Sequence, residues 1–219
     1  MAPSTPYWRQ VTRAFHERAA EYDQWFEGTL LFPIELAALE DLPPLPAPKL
    51  EVGVGPGRFA RALGVSLGVD AARAPLELAR RRGISPAQAL GEALPFRSGA
   101  LGTIFLLFTL CFIEEPRILL RESARVLRRE GRLVIGTIPA AGAWGRMLQA
   151  KQRQGHPFYR HARLLDPPVL VDWLAEAGFS LLESRSTLFQ PPEGLERLEA
   201  PRKGIHPEAG FVVLLAGRR

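Results

Sequence analysis

Three glycines spaced two apart, in Glu51-Val52-Gly53-Val54-Gly55-Pro56-Gly57, follow an apolar run and precede a helical pattern. Few features restrict a fold more. Glycine tolerates positive φ and carries no Cβ, so the segment turns sharply and brings main chain against whatever occupies the turn. The run 49–54 reads as a short strand. Residues 58–63 read as a short helix, whose free N–H groups face back toward the glycines.

The pattern then repeats. A second strand is expected at 65–69, a helix at 75–82 with Pro75 near its start, and a weak third strand at 87–90. A strongly apolar fourth strand follows at 102–110, a helix at 116–127 and a fifth strand at 132–137. Gly83 and Gly131 sit where helix stop signals belong. Strand and helix alternating at this spacing predict an α/β fold: a doubly wound, mostly parallel Rossmann-like sheet with helices on both faces. The tail departs from that rhythm, with a helix at 167–177 stopped by Gly178 and strands at 180–186 and 210–216. That order predicts an antiparallel C-terminal edge. Upstream, Tyr7, Trp8, Phe15, Tyr22, Trp25 and Phe26 are spaced for an amphipathic helix over 7–27. Four prolines between 43 and 48 make a stiff linker.

Composition narrows the function. The longest apolar run, Ile104–Ile113, is half of the roughly 20 residues a membrane helix needs, so it is a buried strand and no membrane partner is expected. The single cysteine, Cys111, excludes an intramolecular disulfide framework and cysteine-rich metal sites. With no apolar leader among the charged first thirty residues, it fits a cytoplasmic protein. A net charge of +5 suggests nucleic acid, yet 25 of the 28 basic residues are Arg, and Asn is absent. That bias fits a GC-rich or heat-adapted (thermophilic) source. The Arg clusters at 80–82, 128–129 and 218–219 close or follow helices or end the chain, where positive charge complements helix dipoles.

The second strand ends in Val69-Asp70, thirteen residues past Gly57. A carboxylate there is placed to accept both hydroxyls of a ribose. Gly55-Pro56-Gly57-Arg58-Phe59-Ala60 also fits the dinucleotide fingerprint GxGxxA. Against a nicotinamide cofactor, Pro56 removes an amide from any pyrophosphate cradle. The residues beyond Thr137 also offer helix, strand and strand rather than a second mononucleotide half.

Five ordered blocks carry a more specific resemblance: EVGVGPGRFA (51–60), GVDAARAPLELARRRG (68–83), GEALPF (91–96), EEPRILLRESARVLRREGRLVIGTIP (114–139) and AEAGF (175–179). In these the chain resembles the class I S-adenosylmethionine-dependent methyltransferases, especially the small-molecule enzymes with an E/DxGxGxG motif. AEYDQWF (20–26) is similar to the entrance helix of such enzymes. The length suits a single domain, expected to comprise an N-terminal helical entrance segment (1–42), a cofactor-binding core (49–139), a substrate lid (140–163) where a long connection leaves the fifth strand, and a C-terminal helix and strands (164–219). The resemblance implies S-adenosylmethionine as cofactor and S-adenosylhomocysteine as product. Gly53, Val54, Gly55 and Gly57 would pass close to the methionine portion, and Glu51 would order the turn and reach its amino group. Asp70 would hold the ribose, Ala71 would lie against the adenine, Gly91 and Glu92 would meet the adenine edge, and Thr109 would face the sulfonium. Leu90 stands where many relatives place an acid against the adenine amino group. Cys111-Phe112 stands where many have His-rich residues.

No catalytic residue is assigned. His16, His156, His161 and His206 read as surface or packing residues, and Cys111, in an apolar run without a nearby cation, as core. In segment 140–163, Trp144, Met147, Phe158 and Tyr159 alternate with Arg146, Lys151, Arg153, Arg160 and Arg163. Rings that exclude water beside cations predict a small acceptor that is anionic or aromatic. An RNA-modifying enzyme and a non-catalytic cofactor-binding protein are the alternatives.

Overall fold

In the computed structural model, which describes residues 5–219, eight strands form one sheet in the order β3-β2-β1-β4-β5-β8-β6-β7. β1 (Lys49–Val52), β2 (Leu67–Asp70), β3 (Ser85–Gln88), β4 (Leu101–Leu107) and β5 (Leu127–Thr137) run parallel. β8 (Phe211–Arg218) joins β5 antiparallel, β6 (Phe179–Thr187) pairs antiparallel with β8, and β7 (Arg202–Lys203) forms a two-residue edge. The expected fold class therefore holds, with three C-terminal strands making the antiparallel side.

Burial on both faces explains the unbroken hydrophobicity of the central strands. Every residue of β4 is buried. Ile104 and Leu106 pack on one face with α6 (Pro116–Val126) and α8 (Pro167–Glu176). Phe105 and Leu107 pack on the other with α3 (Leu31–Glu40), α4 (Arg58–Ala62), α5 (Arg73–Arg81) and α7 (Ala143–Arg153). β8 alternates in the same way, Val212, Leu214 and Ala216 opposing Phe211, Val213 and Leu215. Strand order reverses between β1 and β4, which opens a crevice at their carboxyl ends, the usual ligand position in such sheets.

Several expectations need correction. The 7–27 helix is two, α1 (Tyr7–Glu17) and α2 (Ala19–Gln24), because Arg18 leaves helical geometry at φ −124°, ψ 27°. β4 stops at Leu107, since Phe108 takes a left-handed φ of 55° and Leu110–Phe112 coil into a 3₁₀ turn. β2 and β3 each sit about two residues from their expected positions. Gly131 is no helix stop: α6 ends at Val126, Leu127 is already extended, and Gly131 lies within β5. Gly83 and Gly178 do stop helices, at φ 83° and 84°. Two helices were not expected, α3 and, inside 140–163, α7. Among the described residues no helix is long and apolar enough to cross a membrane.

Candidate active site

The glycine turn lies at the β1/β4 crevice and is held from three sides. Gly53 and Val54 donate backbone N–H groups to Val69 O at 2.7 and 3.0 Å, tying the turn to β2. At Gly53, with φ 73°, an added Cβ would lie 2.5 Å from Thr109 Oγ1. At Gly57, with φ 80°, it would lie 3.1 Å from Ala79 Cβ, so this glycine lets α4 approach α5. Two glycines of the motif are thus dictated by neighbouring protein. The Thr109 hydroxyl has one proton for two carbonyls, Val52 O at 2.8 Å and Leu107 O at 3.0 Å, and so clamps the ends of β1 and β4.

Asp70 sits at the end of β2. One carboxylate oxygen accepts the Gly55 N–H at 2.9 Å and the other accepts the Ala72 N–H at 2.8 Å. Burial raises its pKa, outweighing the backbone N–H groups of Ala72, Gly55 and Ala71 that favour the ionised form. Asp70 also lines the cleft, so acceptor capacity not taken up by these N–H groups is accessible there. Glu51, at 3% exposure, leaves Oε2 without a hydrogen-bond partner. Burial pushes its carboxyl well above the usual range, the Ala60 backbone N–H opposes that, and Asp70 adds to it. An orphaned buried carboxyl is costly unless a ligand satisfies it, and a cationic amino group would. Glu92 also leaves Oε2 unpartnered, with its pKa raised first by burial and further by Glu114.

A narrow cleft of about 110 Å³ brings Gly53, Gly55, Asp70, Ala71, Gly91, Glu92 and Thr109 together. Glu51, Val54 and Gly57 stand behind its wall and do not line it. Leu90, without the acid of many relatives, lines it too. The entrance helices close over it. Tyr22 Cε1 comes within 3.6 Å of the Cβ position of Gly55, and Trp8, Val11, Thr12 and Phe15 complete the wall. Asp23 clasps α2 to the core through Arg58 Nε at 2.6 Å and Arg82 Nη2 at 2.7 Å. Arg82 also donates to Pro56 O at 2.9 Å, so this member of the Arg80–Arg82 cluster reinforces the turn itself.

A second, larger cavity of about 560 Å³ shares Phe15, Tyr22, Phe108, Thr109 and Phe112 with the first. Nine Phe, Tyr and Trp side chains line it, alongside a larger number of aliphatic and small residues. Trp25 meets Phe158 at 4.9 Å and stacks on Tyr159 at 5.5 Å, and Tyr22 meets Trp25 at 5.3 Å. Segment 140–163 does contribute to it, through Trp144, Met147, Leu148, Lys151, His156, Phe158, Tyr159 and Ala162. Its arginines do not. Arg146 and Arg153 are exposed, Arg160 bonds His161, and Arg163 lies over the Tyr7 ring. Lys151 is the one lysine or arginine of this segment that reaches the cavity, and it is itself exposed. Desolvation, with Lys151 nearby, lowers the His156 pKa, and burial pushes the Cys111 thiol up to about 12, so neither an imidazolium nor a thiolate is favoured. His161 does not line the cavity; its carbonyl accepts the Tyr7 hydroxyl and burial lowers its pKa. His16 Nδ1 accepts the Ala74 N–H at 3.2 Å, and His206 is remote beside Phe189.

Among the polar groups of this cavity that sequence reasoning missed is Glu35 of α3, which is 3% exposed with Oε2 unpartnered. A signal was present: Glu35 is the one charged residue in the run Leu30–Leu39.

A family model described as a methyltransferase domain matches residues 50–135. An uncharacterized protein of Mycobacterium tuberculosis is 44% identical over 204 residues, covering 90% of this chain and 71% of its own. An uncharacterized protein of Methanocaldococcus jannaschii is 34% identical, covering 92% of this chain and 97% of its own. The crystal structure of a SAM-dependent methyltransferase from Thermotoga maritima, described as a possible histamine N-methyltransferase, aligns with TM-score 0.90 at 30% identity, over 95% of this chain and all of that one. At 18% identity, the Burkholderia thailandensis 1,6-didemethyltoxoflavin-N1-methyltransferase, solved with S-adenosylhomocysteine, shares the fold with TM-score 0.67 over all of this chain and 92% of its own.

Proposed function

Because the chain belongs to the class I S-adenosylmethionine-dependent methyltransferases, we propose that it methylates a small molecule held in the aromatic cavity. The observation that carries this reading is the meeting of two enclosed spaces at Phe108 and Thr109. One is lined by the glycine turn and Asp70, the other by rings and aliphatic side chains.

The residues at the first space fit the cofactor. Gly53 and Gly55, which line the cleft, would pass close to the methionine portion, while Val54 and Gly57 shape the turn from behind its wall. Glu51, also behind the wall with an orphaned oxygen, would meet the amino group only if the turn shifts on binding. Asp70 accepts the ribose hydroxyls, Ala71 and Gly91 lie against the adenine, and Glu92 reaches its edge. Thr109 fixes the strand ends at which the spaces meet. When bound, S-adenosylmethionine would supply an electrophilic methyl group: the acceptor's lone pair would form a bond to the methyl carbon as the carbon–sulfur bond breaks in line, and S-adenosylhomocysteine would leave with the electron pair. The chain's part is then to align the acceptor and to exclude water. Phe15, Tyr22, Phe108 and Phe112, at the shared wall, do the second. No general base is assigned: none is needed for an acceptor that arrives deprotonated.

Purified protein is mixed with S-adenosylmethionine and either fractionated small metabolites or total RNA, and S-adenosylhomocysteine is measured. Product is expected with a small-molecule fraction. Turnover on RNA with steep salt dependence would replace this reading with the nucleic-acid one, and cofactor binding without turnover on any fraction would leave a binding protein. A thermal shift with NADH and none with S-adenosylhomocysteine would overturn the cofactor as well.

A further inference from the structure

Glu35 is unexplained by cofactor binding. It lies on α3, whose Ile34, Ala38 and Leu39 pack into the core, and it opens into the aromatic cavity away from the glycine turn. At 3% exposure it has an unpartnered Oε2. Burial alone accounts for a carboxyl pKa raised well above its usual range, with no cation close enough to offset it. A fold gains nothing from a buried carboxyl left unpaired, because its desolvation is uncompensated. Such a group fits a site in which a ligand completes the pairing.

The surroundings define the ligand's charge. Tyr22 and Tyr159 lie within electrostatic reach of Glu35 and line the same cavity. Trp25, Phe26 and Phe158 add further ring surface. Aromatic faces are electronegative and attract cations, most strongly where water is excluded. Glu193 and Lys151, the other charged residues that line the cavity, are both exposed and opposite in sign, which leaves Glu35 as its buried charged group. A buried carboxyl among rings disfavours an anion and favours a cation.

We propose that the acceptor carries a basic nitrogen on an apolar or aromatic body, and that Glu35 is the specificity-determining residue that pairs with this nitrogen. The inference rests on the small-molecule reading above and sharpens it: of the two acceptor types expected from the sequence, the aromatic one is retained and the anionic one replaced. It concerns recognition, whichever atom of the acceptor receives the methyl group.

Three probes with one body and different heads provide the test: 3-phenylpropylamine, 3-phenylpropan-1-ol and 3-phenylpropanoate. Each is titrated calorimetrically into full-length protein saturated with S-adenosylhomocysteine. The amine is expected to bind at least tenfold more tightly than the alcohol, with the carboxylate weakest. Glu35→Gln should bring amine and alcohol within about twofold of each other, a tenfold preference being about 1.4 kcal/mol. Equal binding of the three heads, no binding by any, a preference for the carboxylate, or an unchanged amine preference in Glu35→Gln overturns the proposal. Saturation with S-adenosylhomocysteine is measured first on the same samples, so failure of the cofactor assignment is seen separately. Glu35→Met separates recognition from a structural role: an unchanged or raised Tm without the nucleoside is expected, and a Tm lowered by several degrees counts against the proposal.

Discussion

Replacing Asp70 is the sharpest perturbation of the cofactor site, because its carboxylate has two tasks separable by assay. It accepts the N–H groups of Gly55 and Ala72 at 2.9 and 2.8 Å, and it lines the cleft, where its remaining acceptor capacity is accessible. If two ribose hydroxyls bond there, Asp70→Ala removes two charge-assisted hydrogen bonds, each about 1.5–3 kcal/mol. Water refilling the cleft returns part of that sum. A net loss of only about 1.4 kcal/mol is already tenfold in affinity, so S-adenosylhomocysteine should bind at least tenfold more weakly. The other task has its own cost. Ala72 is 1% exposed and its N–H loses its partner, whereas water can reach Gly55 in the cleft. One unsatisfied buried donor costs about 1–3 kcal/mol. For a chain of this length that lowers Tm by roughly 2–12 °C. Asp70→Asn is the companion variant: its amide keeps one acceptor but sets an NH₂ group against one of the two backbone N–H groups. Calorimetry well below Tm separates binding from stability. Native affinity in a folded Asp70→Ala protein would refute the ribose role, and a native Tm would refute the turn-ordering role.

Two further outcomes follow from the same site. Glu51 has a folded pKa raised above its unfolded value, so the folded protein holds a proton that the unfolded chain releases as pH rises past about 4.5. Glu51 therefore makes stability fall with rising pH from there up to its folded pKa. Glu51→Gln should lose less Tm than wild type across that window in thermal scans, and should bind S-adenosylhomocysteine more weakly; parallel Tm–pH curves would count against the buried carboxyl. Asp23→Ala, which breaks both arms of the clasp on α2, should lower Tm by roughly 2–12 °C, from about 1–3 kcal/mol of charged hydrogen bonding. It should also speed both association and release of S-adenosylhomocysteine in stopped-flow; unchanged rates would mean that α2 does not gate the cleft.

The sheet was readable because each of its signals is local. Glycines at 83 and 178 end helices through their own left-handed backbone, and the apolar run 101–107 alternates between two cores. The readings that failed depended on contacts the sequence does not display. Residues 7–27 have the amphipathic spacing of one helix, yet the chain breaks at Arg18 so that α1 can pack on α5 and α2 can cap the glycine turn. The clasp that holds it there joins Asp23 to residues 35 and 59 positions away. α3 has almost no amphipathic pattern, being apolar nearly all round, as a helix enclosed by β6, β8 and the cavity must be. The arginines of 140–163 were expected to face the acceptor, but α7 turns its Trp144 and Leu148 inward and its arginines outward.

The unequal sizes of the two spaces then bear on the order of events. Ligand sites for molecules of nucleoside size enclose about 300–1,000 Å³. The aromatic cavity, at about 560 Å³, lies within that range, whereas the cleft beside Asp70, at about 110 Å³, does not. The cleft is narrow because α1 and α2 lie on it, and they are held by polar ties at its rim: Asp23 to Arg58 and Arg82, the Ala74 N–H to His16, and Tyr7 to the carbonyl of His161. Rim contacts of this kind are exchangeable with water at modest cost, unlike the cores beneath them. If S-adenosylmethionine occupies this cleft, these rim ties are the contacts that its entry would have to open. Tyr22 and Phe15 belong to the two helices and wall both spaces, so a closure that seals the cofactor also completes the acceptor cavity. On the proposed reading, an acceptor cage completed by that closure would order binding, cofactor first and acceptor second; equal acceptor affinity with and without S-adenosylhomocysteine, measured by calorimetry, would refute that order.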